Sequence, residues 1–454
     1  MLSRIGLLAA LTCSLSATAM TAATAMTGCA SDPAPSAARP NWQADIKPIV
    51  DAHCNDCHTK GGIAPFELGS REQVVAMKAS ILSDLHGKRM PPFAADSKVR
   101  QYRFDDSLTP AQVALFEKWF ANGAPAGTLA EAGPAIALER PTLSKVDFKF
   151  KMPNTYKPAK APDDYRCFVV DWPHKTDKYV TGFGVTPGNA KIAHHAIIFA
   201  IPPSDAAQID KFDKDDPGEG YECYGAPFPA KANIQMAFVG EWAPGTQGVD
   251  YPKGTGIKVT PGTRLVLQMH YNTAADPGGS DQTEISMALA DSVEREAWFL
   301  PWFNMAWFFD PPTMKVTAGD AKAEQEFEAV PHGSQVATLT LSGADLSAGF
   351  VVHAVLPHMH TRGRTIDLTA LPAVGAPDIL IRILNWDFNW QRLYFLAQPA
   401  KVHQGDKVRV RCQWDNSAAN QPVVDGKKLP PKELNWGEGT YDEMCLAFMY
   451  ITIK

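Results

Sequence analysis

The chain has 454 residues and a hydrophobic content of 45%, which is enough for about three domains of ordinary size. Its formal net charge is -6 at pH 7 and it carries no long basic or acidic tract, so nucleic acid is not an expected partner. Many short Val/Ile/Thr runs, together with 36 prolines and 33 glycines, favour a mainly β body with many loops.

The N-terminus has the pattern of an export signal over residues 1–28, with a positively charged start followed by an apolar run. The sequence Met26-Thr27-Gly28-Cys29 resembles a bacterial lipobox, which predicts lipidation of Cys29. The alternative is ordinary cleavage after an Ala-x-Ala site near residues 17–19. Residues 29–40 are predicted to be a tether. Together these features predict an exported bacterial protein, a periplasmic or outer-membrane lipoprotein whose membrane contact is its lipid anchor only.

A small all-α module is predicted over residues 41–126. An amphipathic helix covers residues 42–52, a second periodic stretch covers 72–85, and a third begins at Thr109-Pro110 and is stopped by Gly and Pro at 123–125. Residues 127–145 are rich in Ala, Gly and Pro and are predicted to be a linker.

The helical module carries a motif for covalent haem attachment, Cys54-Asn55-Asp56-Cys57-His58. In a C-x-x-C-H sequence the two thiols form thioethers with haem and the histidine ligates the iron. The alternative is a redox or zinc C-x-x-C pair, but the immediate histidine and the export signal favour haem c. The module resembles a class I cytochrome c over residues 41–126.

The sixth ligand of the haem iron is predicted to be Met90. It lies in Arg89-Met90-Pro91-Pro92, where prolines stiffen the loop, and a thioether raises the iron potential. His53 and His86 are the rival candidates. Met77 falls within a predicted helix and is expected to belong to the core.

From about residue 146 onward the pattern changes to short alternating strands separated by turns, which is typical of β-sandwiches. The length suits two sandwiches, which we place at residues 146–300 and 301–454, with the break near 291–312. After the cysteines of the signal, the lipobox and the haem motif are set aside, four remain in this region: Cys167, Cys223, Cys412 and Cys445. An even remainder in an exported chain predicts two disulfides.

The β region also carries a dispersed set of candidate metal ligands: His194, His195, His270, His358, His360 and Met444. Imidazole suits copper, and a thioether selects Cu(I). His358 and His360 are two residues apart, which places both on one face of a strand. His194 and His195 are adjacent, so they can share a metal only where a strand bends or ends. Any one pair could be an unrelated structural pair, but the full set predicts metal binding.

These motifs closely resemble the copper type II, ascorbate-dependent monooxygenases over about residues 146–454. The resemblance rests on four sequences: His194-His195, Gln268-x-His270-Tyr271, His358-x-His360 and Asp442-Glu443-Met444-Cys445. It implies a mainly β fold, two jelly-roll-like β-sandwich copper domains, here preceded by the all-α cytochrome c module. It further implies an electron-storage copper on His194, His195 and His270.

The same resemblance implies an O₂-binding copper on His358, His360 and Met444, with Gln268 among the catalytic residues. It implies disulfides Cys167–Cys223 and Cys412–Cys445, the second bracing Met444. The remaining histidines of the β region lie outside the family pattern and are interpreted as structural: His174, His332, His353 and His403. Of these, His353 is the first to test.

Two features depart from the family pattern. Peptide-hydroxylating members anchor a substrate carboxylate with Arg, Asn and Tyr at positions that are Leu356, Leu446 and Phe448 here, which argues against peptidylglycine and for an apolar pocket. The other departure is the cytochrome, which could replace ascorbate. The prediction is therefore a copper monooxygenase with two copper ions and one haem c, which hydroxylates a C–H bond of a small apolar or aromatic substrate with O₂.

Its electron donor would be a redox protein or an ascorbate-like reductant. The alternative function is a haem- and copper-binding electron-transfer or copper-sensing lipoprotein that performs no hydroxylation.

Overall fold

The structure is a computed structural model of the chain. It describes residues 39–60, 64–223, 225–228, 232, 234–243, 248–273, 276–308, 313–331, 345–424, 426–437 and 439–453. The predicted signal, the lipobox with Cys29 and most of the tether lie outside the described residues, as does His332. Among the described residues, no helix is both long enough and apolar enough to cross a membrane.

The helices lie mostly in the N-terminal part of the described chain. A π-helical turn at Trp42–Ile46 runs into α1 (Lys47–His53), and the other helices are α2 (Arg71–Ala76), α3 (Lys78–His86), α4 (Pro110–Ala121), α5 (Ala206–Asp215) and α6 (Met305–Phe308). Helices therefore occupy the three stretches where the sequence predicted them, except that the second is divided at Met77, whose φ of -98° and ψ of 12° are not helical.

Local sequence explains where these helices begin. Ser70 with Gln73 and Thr109 with Gln112 form capping boxes, each with the reciprocal side chain to backbone hydrogen bonds. Pro110 occupies the first turn of α4, where a missing N–H costs nothing. Trp42, Ile46, Phe116 and Trp119 are among the side chains that form the core of this part of the chain.

The rest of the described chain is mainly β. The first ten strands are β1 (Phe148–Lys151), β2 (Asp163–Asp171), β3 (Lys178–Thr186), β4 (Ala193–Ile201), β5 (Tyr221–Glu222), β6 (Ala237–Trp242), β7 (Val249–Asp250), β8 (Thr255–Val259), β9 (Arg264–Asn272) and β10 (Glu284–Ala290). The other ten are β11 (Arg295–Trp302), β12 (Ala323–Ala329), β13 (Phe350–His358), β14 (Gly363–Leu371), β15 (Asp378–Ile383), β16 (Tyr394–Val402), β17 (Lys407–Trp414), β18 (Val423–Val424), β19 (Lys427–Lys428) and β20 (Leu446–Ile453).

One long sheet joins the two halves of the β body. Its order is β1-β10-β3-β8-β11-β20-β13-β16, with β7 beside β3, and the junction is a short parallel pairing of β8 with β11. A five-stranded sheet, β5-β2-β9-β4-β6, covers the first half, and a four-stranded sheet, β12-β17-β14-β15, covers the second. The boundary proposed at residues 300/301 falls inside β11, so the division into two domains stays a prediction.

Two hydrophobic cores lie between these sheets, which is the architecture of packed β-sandwiches. The first contains Phe168, Phe199 and Met287, and the second contains Trp302, Ile381 and Trp414. The mainly β, sandwich-like fold predicted from the sequence is therefore confirmed.

A segment of the helical module is built into the second core. Phe93, Ala95 and Tyr102 are buried there, and Tyr102 forms a β-bridge with Leu396 of β16. We call residues 93–104 the inserted segment. The predicted linker also contacts both parts: the backbone of Gly133 bonds to Gln43 of the helical part, and that of Ser144 bonds to the Asp250 carboxylate in the β body. The helical part is thus packed on the β body rather than connected only through a tether.

Candidate copper centres and haem cavity

The first histidine group consists of His194 and His195 on β4 and His270 on β9. The register between these strands shifts between Ala193 and His195, and His195 lies opposite His270. This bulge lets adjacent histidines contribute to one cluster, as the sequence required. One ring nitrogen from each of the three lies within 4.8 Å of the others.

The protonation of the first group suits a metal. The Nδ1 atom of His194 is buried and has no hydrogen-bond partner among the described atoms, and the Nδ1 atoms of His195 and His270 are 3.4 Å apart. The carboxylate of Asp163 accepts a hydrogen bond from Nε2 of His270 at 3.0 Å, which leaves Nδ1 free to ligate. Burial lowers the pKa of His194 to about 3 and that of His195 well below its ordinary value, so both rings are neutral ligands at pH 7.

The second group consists of His358, His360 and Met444. His358 is the last residue of β13 and His360 follows the strand, with the two ring centroids 5.0 Å apart. Nδ1 of His358 donates to the side-chain oxygen of Gln391 at 2.5 Å, and Nδ1 of His360 donates to the Asp442 carbonyl at 3.2 Å. Both Nε2 atoms therefore remain available for a metal. Burial lowers the pKa of His358 to about 4.

A buried carboxyl group fixes the backbone around the second group. Glu443, which precedes Met444, accepts hydrogen bonds from the backbone N–H of His360 at 3.0 Å and of Arg362 at 2.7 Å, and from the indole of Trp414 at 2.8 Å. Burial raises the pKa of Glu443 to about 7. Glu443 thereby holds the chain on both sides of the site.

The two groups face one cavity of about 240 Å³. His195, Gln268 and His270 line it from one side, and His358, His360 and Met444 line it from the other. Its wall is otherwise largely apolar and includes Leu356, Leu446 and Phe448, the three positions at which the resemblance implied an apolar pocket. Glu241 contributes the one carboxyl group among the described residues of this lining, and burial raises its pKa to about 8.

Both predicted disulfides are confirmed. Cys167–Cys223 joins β2 to the residue after β5, and the side-chain amide of Gln268 lies 3.4 Å from the Cys223 sulfur. Cys412–Cys445 joins β17 to the residue before β20 and thus connects the four-stranded sheet with the long sheet next to Met444.

A second cavity, of about 510 Å³, is lined together by Cys54, Cys57, His58 and Met90. Both thiols are unpaired, and Nδ1 of His58 donates to the Phe66 carbonyl at 3.0 Å, which leaves Nε2 for a metal. These features fit a c-type haem with Met90 within the same cavity. We call this space the haem cavity.

The rival sixth ligands are engaged elsewhere. His53 lines the haem cavity, but its Nδ1 bonds to the Asp106 carbonyl at 2.8 Å and its Nε2 contacts the Gln112 amide. His86 pairs at the surface with Glu117 at 2.6 Å. Among the described histidines outside the family pattern, His353 bonds to the Thr452 hydroxyl, His403 contacts Asp406, and His174 packs against Trp172.

Sequence reasoning missed several polar residues of the site: Asp163, Glu241, Gln391 and Glu443. Glu443 stands within a motif that the sequence singled out, so its position beside Met444 was a usable signal. The other three lie far along the chain from the ligands they contact or face, and no spacing marks them.

Comparison with known proteins agrees with this geometry. The family model for the copper type II ascorbate-dependent monooxygenase N-terminal domain matches residues 148–276, and the model for the C-terminal domain matches residues 330–452. The two matches together span more than half of the chain. The protein therefore belongs to the copper type II ascorbate-dependent monooxygenase family.

Among curated proteins, the chain is similar to DBH-like monooxygenase protein 1 from Homo sapiens, with 23% identity over 277 residues, which cover 58% of this chain and 39% of that protein. It is also similar to DBH-like monooxygenase protein 2 from Mus musculus, with 23% identity and shares of 58% and 38%. The chain thus spans about two fifths of the length of these relatives. Among solved structures, the match to an allantoicase covers 69% of this chain and 86% of the allantoicase chain at 11% identity. Its TM-score of 0.16 is too low to indicate a shared fold.

Proposed function

We propose that the protein is a copper monooxygenase that hydroxylates a C–H bond of a small apolar or aromatic substrate with O₂, using electrons delivered through a c-type haem. The observation that carries the proposal is the shared cavity: His195 and His270 line one side, and His358, His360 and Met444 line the other. A substrate held between them has access to both metal sites at once.

Each of the two ligand groups holds its own copper ion in this proposal. His194, His195 and His270 hold one copper, and His358, His360 and Met444 hold the second, where the thioether favours Cu(I). When bound, copper supplies the one-electron chemistry that activates O₂. The overall reaction consumes a C–H bond, O₂, two electrons and two protons, and it yields an alcohol and water.

The shape and polarity of the cavity support an apolar substrate. Leu356, Leu446 and Phe448 occupy the places of the carboxylate anchor, and further aromatic side chains line the wall: Phe199, Phe238, Phe299, Phe303, Phe388 and Trp436. Burying apolar substrate surface here contributes roughly 25 cal/mol per Å². An anionic peptide end would find no described cation in this lining.

Haem delivery of electrons rests on the second cavity, where Cys54, Cys57, His58 and Met90 meet. Covalent attachment would keep the haem beside the copper region at every turnover. We further propose that the protein is exported, because two disulfides are usual in oxidising compartments. The lipid anchor at Cys29 is a prediction from the sequence alone.

Oxygen uptake tests the proposal. Purified protein loaded with copper and reduced should consume O₂ faster when a substrate from a library of small apolar and aromatic compounds is added, and ¹⁸O₂ should label the alcohol product. His358→Ala should abolish this uptake, whereas the matched control His403→Ala should not, since that side chain is 60% exposed and pairs with Asp406. Uptake that no substrate stimulates would instead support the electron-transfer or copper-sensing alternative.

A further inference from the structure

One short segment between β15 and β16 touches both histidine groups. We call residues 388–392 the connecting segment. The Phe388 ring stacks on His194, with centroids 5.4 Å apart and planes inclined by 29°. The same ring meets His195 edge-on at 6.0 Å and His360 edge-on at 5.7 Å. Phe388 therefore packs between ligands of the two proposed copper sites.

Gln391 links the two groups through polar contacts. Its side-chain oxygen accepts from Nδ1 of His358 at 2.5 Å, and its side-chain nitrogen lies 3.2 Å from Nε2 of His195. The same nitrogen donates to the Phe388 carbonyl at 2.9 Å, which fixes the orientation of the amide. The side chain is 4% exposed, so water does not compete for these contacts. One buried amide thus reaches a ligand from each group, on ring atoms that the metals do not need.

The residues on either side of Gln391 line the other cavity. Trp390 and Arg392 belong to the wall of the haem cavity, together with Cys57 and His58. Arg392 is held there, because its guanidinium is 3.6 Å from the Asp106 carboxylate and 5.2 Å from the centre of the Phe93 ring. Asp106 and Phe93 both belong to the N-terminal, mainly helical part of the chain. The segment is therefore fixed at the haem side as well as at the histidine side.

We propose that the connecting segment carries electrons from the haem cavity to both copper sites, with Gln391 as the bridging side chain. This inference rests on the proposed function, because it requires haem and copper in their predicted sites. Electron tunnelling falls steeply with distance through space and less steeply through covalent and hydrogen bonds. The route from Trp390 or Arg392 through Gln391 to His195 or His358 has no through-space gap longer than a hydrogen bond on its copper side.

Two substitutions of Gln391 distinguish the effect of its hydrogen bonds from the effect of its packing. Gln391→Leu keeps a branched side chain of comparable volume and removes its hydrogen bonds, whereas Gln391→Glu keeps an acceptor for His358. The matched control is Gln398→Leu, the same chemical change at an exposed position on β16. Each protein is prepared with haem and with copper in the Cu(II) state, and copper content and the Cu(II) EPR spectrum are recorded first.

The test measures electron transfer without turnover. Under anaerobic conditions and without substrate, a flash-generated flavin semiquinone reduces the haem, and the haem absorbance then reports its reoxidation by Cu(II). In Gln391→Leu this reoxidation should slow by about tenfold or more. It should be near the wild-type rate in Gln391→Glu and unchanged in Gln398→Leu. Direct reduction of the coppers by ascorbate bypasses the bridge and serves as the reference rate in each protein, so the ratio of the haem reoxidation rate to the ascorbate rate should fall only in Gln391→Leu.

The possible results distinguish a failure of the Gln391 bridge from a failure of the proposed delivery of electrons by haem. If wild-type haem is not reoxidised by its own copper, haem delivery itself fails and the bridge fails with it. If wild-type transfer is fast and Gln391→Leu is equally fast, only the bridge is refuted. If Gln391→Leu loses copper or reacts slowly with ascorbate, the rate of haem reoxidation in Gln391→Glu decides. If that rate is slow although copper is retained, a role based on the hydrogen bond to His358 is refuted as well.

Discussion

The disulfide beside Met444 allows a quantitative prediction. Replacing Cys412 and Cys445 together by Ala opens a loop whose ends are 33 residues apart in sequence. The loop-entropy relation gives a loss of about 3.7 kcal/mol in the free energy of unfolding at 25 °C. The same relation gives about 4.2 kcal/mol for Cys167–Cys223, which are 56 residues apart. The two losses should therefore be similar, although the functional effects should differ.

The functional difference follows from position. Cys445 is the neighbour of Met444, and its bond to β17 fixes the start of β20 against the opposite sheet. Without it, Met444 loses an anchor, so the second copper site should hold Cu(I) more weakly. The Cys167/Cys223 double variant is the matched control, since it removes a disulfide at similar cost but leaves the neighbourhood of Met444 intact.

Urea unfolding of the metal-free proteins followed by circular dichroism gives the free energies, and competition with a Cu(I) chelator gives the affinities. A loss below about 1 kcal/mol in the Cys412/Cys445 variant would show that loop entropy does not dominate this bridge. Equal Cu(I) affinities in the two double variants would show that the bridge does not hold Met444 in place.

Three further predictions address the site. Because burial raises the pKa of Glu241 from 4.5 to about 8, its carboxyl stabilises the folded protein fully below pH 4.5 and this contribution disappears as the pH rises through 8. The unfolding free energy of the wild type should therefore fall relative to that of Glu241→Gln between pH 5 and 8, and a constant difference in denaturant titrations would contradict the assignment. Met444→His should strongly reduce substrate-dependent O₂ uptake while the pyridine haemochrome spectrum stays unchanged; undiminished uptake would remove Met444 from the mechanism. Replacing His58 by Ala should abolish turnover driven by a protein electron donor, with copper content by metal analysis preserved and some activity restored by ascorbate; full activity with the protein donor would exclude the haem as the entry point.

Local patterns in the sequence were enough to propose the candidate ligands. The spacing in Cys54–His58 and in His358-x-His360 is short, so the motif itself brings the side chains together. The pair His194-His195 required a distortion of the strand, and the bulge in β4 supplies it. The helices were predictable for the same reason, because caps such as Thr109 with Gln112 act within one turn.

Contacts between distant parts of the chain were not predictable in this way. Gln391 approaches His195 across 196 positions of sequence, and Asp163 approaches His270 across 107. Cys412 lies on β17, which pairs with β12 and β14, whereas Cys445 precedes β20, which pairs with β11 and β13. The disulfide therefore crosses between sheets. Such contacts depend on how the sheets pack, for which a single sequence has no local signal.

The inserted segment, residues 93–104, prevents the helical part from being separated from the β body by a cut in the predicted linker. A protease that cut the chain between residues 127 and 145 would not release the helices, because Phe93 and Tyr102 would still be buried in the second core. Likewise, recombination at that point could not exchange the N-terminal module for a different module without leaving a cavity in the second core. Phe93, Ala95 and Tyr102 would have to be inherited with the sandwich they fill. The helical part and the β body of this chain therefore have to be exchanged together.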